Sequence, residues 1–173
     1  SESCGLHVDN LSTGFYLSGD TLIFSNLNLK TGESNLGGDL LLLLDSTGTG
    51  YSSENLEARI QGKVVSYFTD YPFFKKYPND FVKLNLNASG TMEAVTIQAA
   101  ALDVRSGDLT AVLQGSVSGF KSTPFFNLDI GRFQTSIGTL NDLLPTMTLP
   151  EQILRSDRVE ASGTVRGTTD RLA

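Results

Sequence analysis

The sequence predicts an all-β chain, an elongated, twisted, antiparallel meandering sheet curled into a half-pipe with an apolar concave face and two short helical inserts. Three observations predict it. Apolar and polar residues alternate with period two in one segment after another. Turn sequences such as Ser18-Gly19-Asp20 and Ser106-Gly107-Asp108 separate the segments. Only two stretches, near 66–78 and 138–155, break the alternation.

Taken in order, Leu27 and Leu29 alternate with Asn26, Asn28 and Lys30. The run Gly37-Gly38-Asp39 followed by five leucines and Asp45 is far too short for a membrane helix, which needs roughly 20 apolar residues. Flanking turn residues make it a strand instead. Leu40, Leu42 and Leu44 then share one face, with Leu41 and Leu43 on the other. One set is expected to line a groove. The other is expected to be shielded by the aromatic insert around Phe73 or by a neighbouring unit. Thr47-Gly48-Thr49-Gly50 lacks the lysine of a phosphate loop and reads as a hairpin turn.

The first insert, Ser66 to Pro78, carries Tyr67, Phe68, Tyr71, Phe73, Phe74 and Tyr77 with two prolines, which suits a short helix or compact irregular segment. It reads either as a plug sealing one end of the sheet or as a lid or partner patch. In the second case Lys75 and Lys76 would offer charge to phosphate head groups. Alternation resumes with Val82, Leu84, Leu86 and Ala88, then with Leu109, Ala111 and Leu113, then with Phe126, Leu128 and Ile130. In the second insert Leu140, Leu143 and Leu144 have helical spacing, Pro145 stops the turn, and Pro150 opens another ahead of Glu151.

Two internal matches point to repetition. Asn55–Val64 resembles Asp108–Val117, and Leu86–Thr91 resembles Val159–Thr164, at unequal offsets. Residues 1–173 therefore read as a single β-rich segment. The start at Ser1 and the unfinished unit from Gly163 to Ala173 give the expectation of a piece cut from a longer array.

Composition narrows the function. A net charge of −6 among 173 residues argues against nucleic acid, whose phosphates need a basic face. His7 is the single histidine, which excludes a multi-histidine metal site and leaves a His-dependent triad no other base; Cys4 is the single cysteine and cannot form an internal disulfide. No cofactor is implied. Asp39, Asp45, Asp103, Asp108 and Asp129 stand singly beside turns and polar strand faces, as capping residues do. The sequons at Asn10 and Asn87 are chance matches in a Ser/Asn-rich chain, Asn87 lying within a strand. The inward candidates for an acyl-chain groove are Leu27, Leu29, Leu40, Leu42, Leu44, Leu84, Leu86, Ile97, Leu113, Leu128 and Ile130. An ordinary sandwich core would use the same residues.

Units such as "LNASGTMEAVTIQAAALDVRSGDLTAVLQGSVSG", the pair "LIFSNLNLKTGESNLGGDLLLLLD", and the small helix and proline before a "GT..G" strand in "LNDLLPTMTLPEQILRSDRVEASGTVRG" resemble the β-taco repeats of the TamB and AsmA-like family of diderm bacteria. The Asn- and Phe-rich style is similar to versions from the Bacteroidetes. The resemblance implies a periplasm-spanning protein anchored in the inner membrane by an N-terminal helix. Phospholipid acyl chains would be its cargo, and an outer-membrane barrel of the assembly-factor type a partner. No catalytic residues come with the family, so a non-enzymatic role is expected. Two other readings stand beside it: a structural or adhesive β-module of a surface protein, and a carbohydrate-active β enzyme with convergent carboxylates.

Overall fold

Sequence alternation becomes one continuous antiparallel sheet. The computed structural model describes residues 7–45, 48–67, 69–119, 123–145, 150–168 and 171–172. Cys4, Phe68, Thr47 of the expected Thr47–Gly50 turn and residues 146–149 of the second insert lie outside them, as does the side chain of Asp45, while Gly48–Gly50 of that turn belong to a strand. Strands β1 (Asn10–Ser18), β2 (Thr21–Thr31), β3 (Ser34–Asp45) and β4 (Gly48–Gln61) precede the first insert. After it come β5 (Phe81–Thr91), β6 (Ala94–Val104), β7 (Leu109–Ser118) and β8 (Phe125–Ser136), then the second insert, β9 (Arg158–Thr168) and the two-residue β10 (Arg171–Leu172). Each strand pairs with its sequence neighbours in a pure meander from β1 to β10, and the sheet does not close. The chain is thus an open, half-pipe-like all-β sheet.

The helices fall in the two interruptions, the first of which begins earlier than the expected Ser66 and fills residues 62–80 between β4 and β5: α1 (Gly62–Val65) and α2 (Pro72–Lys76) lie there, α3 (Ile137–Leu143) and α4 (Glu151–Leu154) in the second. Pro72 sits in the first turn of α2, where its missing N–H costs nothing. The Ser136 side chain caps α3 by accepting from the Thr139 N–H at 3.2 Å.

The sheet is bent along one line. The even-numbered strands β2, β4, β6 and β8 each carry extra residues at the same height: Ser25-Asn26, Glu54-Asn55, Gln98-Ala99 and Gly131-Arg132. Such bulges bend a strand and sharpen its twist. Asn26 and Asn55 take the left-handed conformation, with φ of 52° and 51°, which asparagine tolerates better than most residues. Each donates its backbone N–H across to the next strand, Asn26 to Asp39 Oδ1 at 2.8 Å and Asn55 to Asn87 Oδ1 at 2.7 Å. A glycine makes room for the second bulge. Gly38 on β3 has φ +132°, and a Cβ there would meet the Asn55 carbonyl oxygen at 2.6 Å.

The internal sequence matches join strands three apart in one case and four apart in the other. Asn55–Val64 begins in β4 and runs into α1, whereas Asp108–Val117 covers β7, and the meander makes those two strands run in opposite directions. The second match joins β5 to β9, which do run the same way.

Candidate functional site

Cross-strand register assigns every side chain to one of two faces, because directly paired residues project to the same side. One face is apolar across nine strands. Its row nearest one end reads Leu17, Leu22, Leu42, Tyr51, Gly90, Val95, Val117 and Phe126 from β1 to β8. The next reads Phe15, Phe24, Leu40, Ser53, Ala88, Ile97, Gly115, Leu128 and Val165. Beyond the bulges come Leu56, Leu86, Ala100, Leu113 and Ile130, then Leu29, Leu36, Ala58, Leu84, Leu102, Ala111 and Phe133. The opposite face is polar, with rows such as Ser52, Ser89, Thr96, Ser116, Asn127 and Arg166. All eleven groove candidates lie on the apolar face.

None of those eleven is fully buried. Ten are half-buried and Leu44 is 45% exposed. Buried apolar residues on the same face are small or gathered at its far end: Ala58, Ala88, Ala100, Ala111, Val104 and Leu109. Total accessible surface is 10902 Å², whereas a compact 18.6 kDa globule exposes about 8,200 Å². A surface about a third larger is what a sheet gives when most of its apolar side is not folded against a second layer.

The aromatic insert covers that same face at its far end. Phe73, 2% exposed, packs with Val104 and Leu109 into a core that also takes Val82, Leu102, Phe133, Phe74, Tyr77 and Leu143. Phe73 meets Phe74 edge-on at 5.4 Å and Tyr77 at 5.2 Å between centroids. The expectation that this insert shields Leu41 and Leu43 is therefore corrected. Those leucines sit on the polar face beside Ile23 and Ser52, and Leu43 is 44% exposed. The insert had to cross to the apolar side because its own rings need an apolar floor, which only that face provides.

Polar contacts bolt the two inserts together over this plug. Tyr77 Oη donates to Asp142, Lys76 Nζ lies 2.6 Å from the same carboxylate, and Tyr71 Oη donates to the Leu143 carbonyl. Lys75 pairs with Asp70 at 2.8 Å. Both lysines proposed for head groups thus already hold carboxylate partners. Tyr67 and Tyr71 are exposed at 38% and 37%. Hydrogen bonds from Lys76 and then Tyr77 hold the Asp142 carboxyl below its ordinary value. Burial pushes Asp108 up, but hydrogen bonds from Thr139 and Ser136 and the charges of Arg105 and Arg158 bring it below that value.

Sequence reasoning missed Arg105, which joins the β6–β7 turn to both inserts. Its guanidinium lies 2.9 Å from Asp80, 3.1 Å from Asp108 and 2.6 Å from Thr139. The remaining aspartates act in turns and across strands: Asp39 on Asn26, Asp103 on the Gly107 N–H at 2.6 Å, and Asp129 accepting from Gln114 at 3.3 Å. Among the described residues no group of three or more His, Cys, Asp or Glu could hold a metal ion. Dents follow the bulge line, one with Ile23, Asn26, Asp39, Leu40, Leu41 and Ser52 in its lining. Comparison of the chain with protein-family models, curated proteins and solved structures finds no match.

Proposed function

We propose that the open apolar face receives phospholipid acyl chains, and that this chain is a segment of a TamB/AsmA-like protein that moves lipid between the inner and outer membranes or assists outer-membrane protein assembly. The single observation that carries the reading is the face itself: eleven leucine and isoleucine side chains on one side of an unclosed sheet, none fully buried. Burying a methylene is worth about 0.8 kcal/mol, so a dozen supply roughly 10 kcal/mol before the cost of ordering the chain. Contact of this kind has no preferred direction. A chain held only by it keeps its affinity while sliding, which is what a conduit requires. On this reading the segment lies in the periplasm, its parent is anchored in the inner membrane, and an outer-membrane barrel is its partner at the far end.

The test is native mass spectrometry of the chain purified from membrane-containing lysate, together with photocrosslinking from positions 42 and 84 to vesicles of phosphatidylethanolamine and phosphatidylglycerol. Phospholipid should co-purify, and be lost on Leu42→Asp or Leu84→Asp but kept on Asn85→Asp, which alters the polar face. Lipid-free protein together with no crosslink to lipid at either position would sink the proposal.

A further inference from the structure

The apolar rows continue beneath the plug. Leu84 pairs with Leu102 on β6, and Leu102 packs against the core that Phe73 forms with Val104 and Leu109. Phe73 thus stands on the floor that an acyl chain lying over Leu84 reaches next. The first insert divides into a neck and a head. Main-chain bonds zip the neck, from the Gly62 N–H to the Asp80 carbonyl at 2.8 Å and from the Lys63 N–H to the Pro78 carbonyl at 2.9 Å. The head, residues 69–77, meets the rest of the sheet through rings: Phe73 on Val104 and Leu109, and Tyr77 beneath the Arg105 guanidinium. Among the described residues its hydrogen bonds stay within the insert or run to Asp142 and Leu143 of the second insert, and none reaches a strand. Its helix α2 has five residues, too few to hold a helix in water without packing.

We infer that the head is a lid, which rests on the apolar floor of β6 and β7, yields it to an acyl chain advancing from Leu84, and is latched to the second insert by Tyr71, Lys76 and Tyr77. The inference rests on the lipid reading above. Apolar contact has no preferred direction, so a chain can take the place of a ring. It also covers more apolar surface than one ring does, which favours the exchange. The latch opposes it, because a lipid chain replaces none of the bonds to Asp142 and Leu143. Lipid and latch therefore compete, and weakening one strengthens the other by the same factor. The zipped neck keeps the lifted head tethered above its floor, so closure is intramolecular. Elements of low local stability are the ones that serve as lids.

The test uses the full chain with vesicles of phosphatidylethanolamine and phosphatidylglycerol whose acyl chains carry a diazirine, and maps the adducts by peptide mass spectrometry. In the natural chain adducts should concentrate at Leu40, Leu42 and Leu84, and lipid should raise amide exchange across residues 69–77. Asp142→Asn should raise adducts at Val104 and Leu109 by about tenfold, the equivalent of one charge-assisted hydrogen bond. Tyr71→Phe, the milder second variant, should move them the same way. In a Cys4→Ser background, Lys76→Cys and Asp142→Cys joined by a cleavable thiol-reactive linker should show no adducts at Val104 or Leu109, and regain them on cleavage. Adducts at Leu40 and Leu42, with none at the floor in either latch variant or with floor adducts undiminished by the linker, would overturn the lid and leave the conduit standing. Amide exchange of the head indifferent to bound lipid would overturn it equally. Adducts nowhere on the apolar face would overturn both.

Discussion

The guanidinium of Arg105 lies 3.9 Å above the Tyr77 ring. The same side chain reaches Asp80 on the first insert and Thr139 on the second, so one residue in the β6–β7 turn fixes both halves of the plug. Cation–ring attraction adds about 0.5–1 kcal/mol at partly exposed sites. Hydrogen bonds to charged groups contribute about 1.5–3 kcal/mol.

Arg105→Ala should therefore lower unfolding stability by about 2–3 kcal/mol, seen as a shifted urea midpoint. Arg105→Lys should recover only a minor part, because an ammonium cannot serve Asp80, Asp108 and Thr139 from one plane. Full rescue by lysine would show that charge alone, and not the fork, does the joining.

Phe73 fills the floor of the plug. Phe73→Ala should cost about 3–5 kcal/mol and raise amide exchange across residues 62–80 and 137–143 together, since both inserts rest on it. Phe15→Ala, made at a residue 61% exposed, should cost much less. Equal losses at the two positions would contradict the packing described.

Low pH should loosen the same region. The folded-state carboxyls of Asp142 and Asp108 lie below their ordinary value of 3.8. A depressed value contributes stability that is complete above the unfolded value and disappears as pH falls through the folded one. Denaturation midpoints should hold down to about pH 5 and decline below about pH 4. Asp142→Asn should be less stable than the natural chain at pH 7 and converge with it as pH falls through the folded-state titration of Asp142. Parallel curves for the two proteins would count against an ionised Asp142 in the plug.

Gly38→Ala tests the bulge line. At φ +132°, with the Asn55 carbonyl oxygen 2.6 Å from the new Cβ, alanine should destabilise by about 1–3 kcal/mol and perturb the backbone resonances of Asn55 and Leu56 first. An unchanged melting temperature would show that the two strands separate more easily than the register implies.

Much of this architecture was legible in residue order. Strand identity followed from alternation, and the parity of Leu40, Leu42 and Leu44 was correct as read. The bulge line is legible in residue order too. Apolar parity flips inside each even strand, from Leu22 and Phe24 to Leu27 and Leu29, and from Val95 and Ile97 to Ala100 and Leu102. A strand that changes parity without changing face must carry an extra residue. The site of the plug was not legible. Phe73 and Val104 are neighbours only because β5 and β6 fold back on one another as a hairpin after the insert, and no local pattern records that contact.

The sequence by itself determined that the chain is β, that one side of its sheet is apolar, and where the sheet is interrupted. These follow from side-chain direction along an extended backbone, a property of adjacent residues. Tertiary structure decided which face the aromatic insert covers, that Lys75 and Lys76 are spent on Asp70 and Asp142, and that Arg105 holds the two inserts. Those depend on pairing between residues up to 72 positions apart, as in Tyr71 and Leu143. The cost of closing such loops is met only once the strands between them are in register.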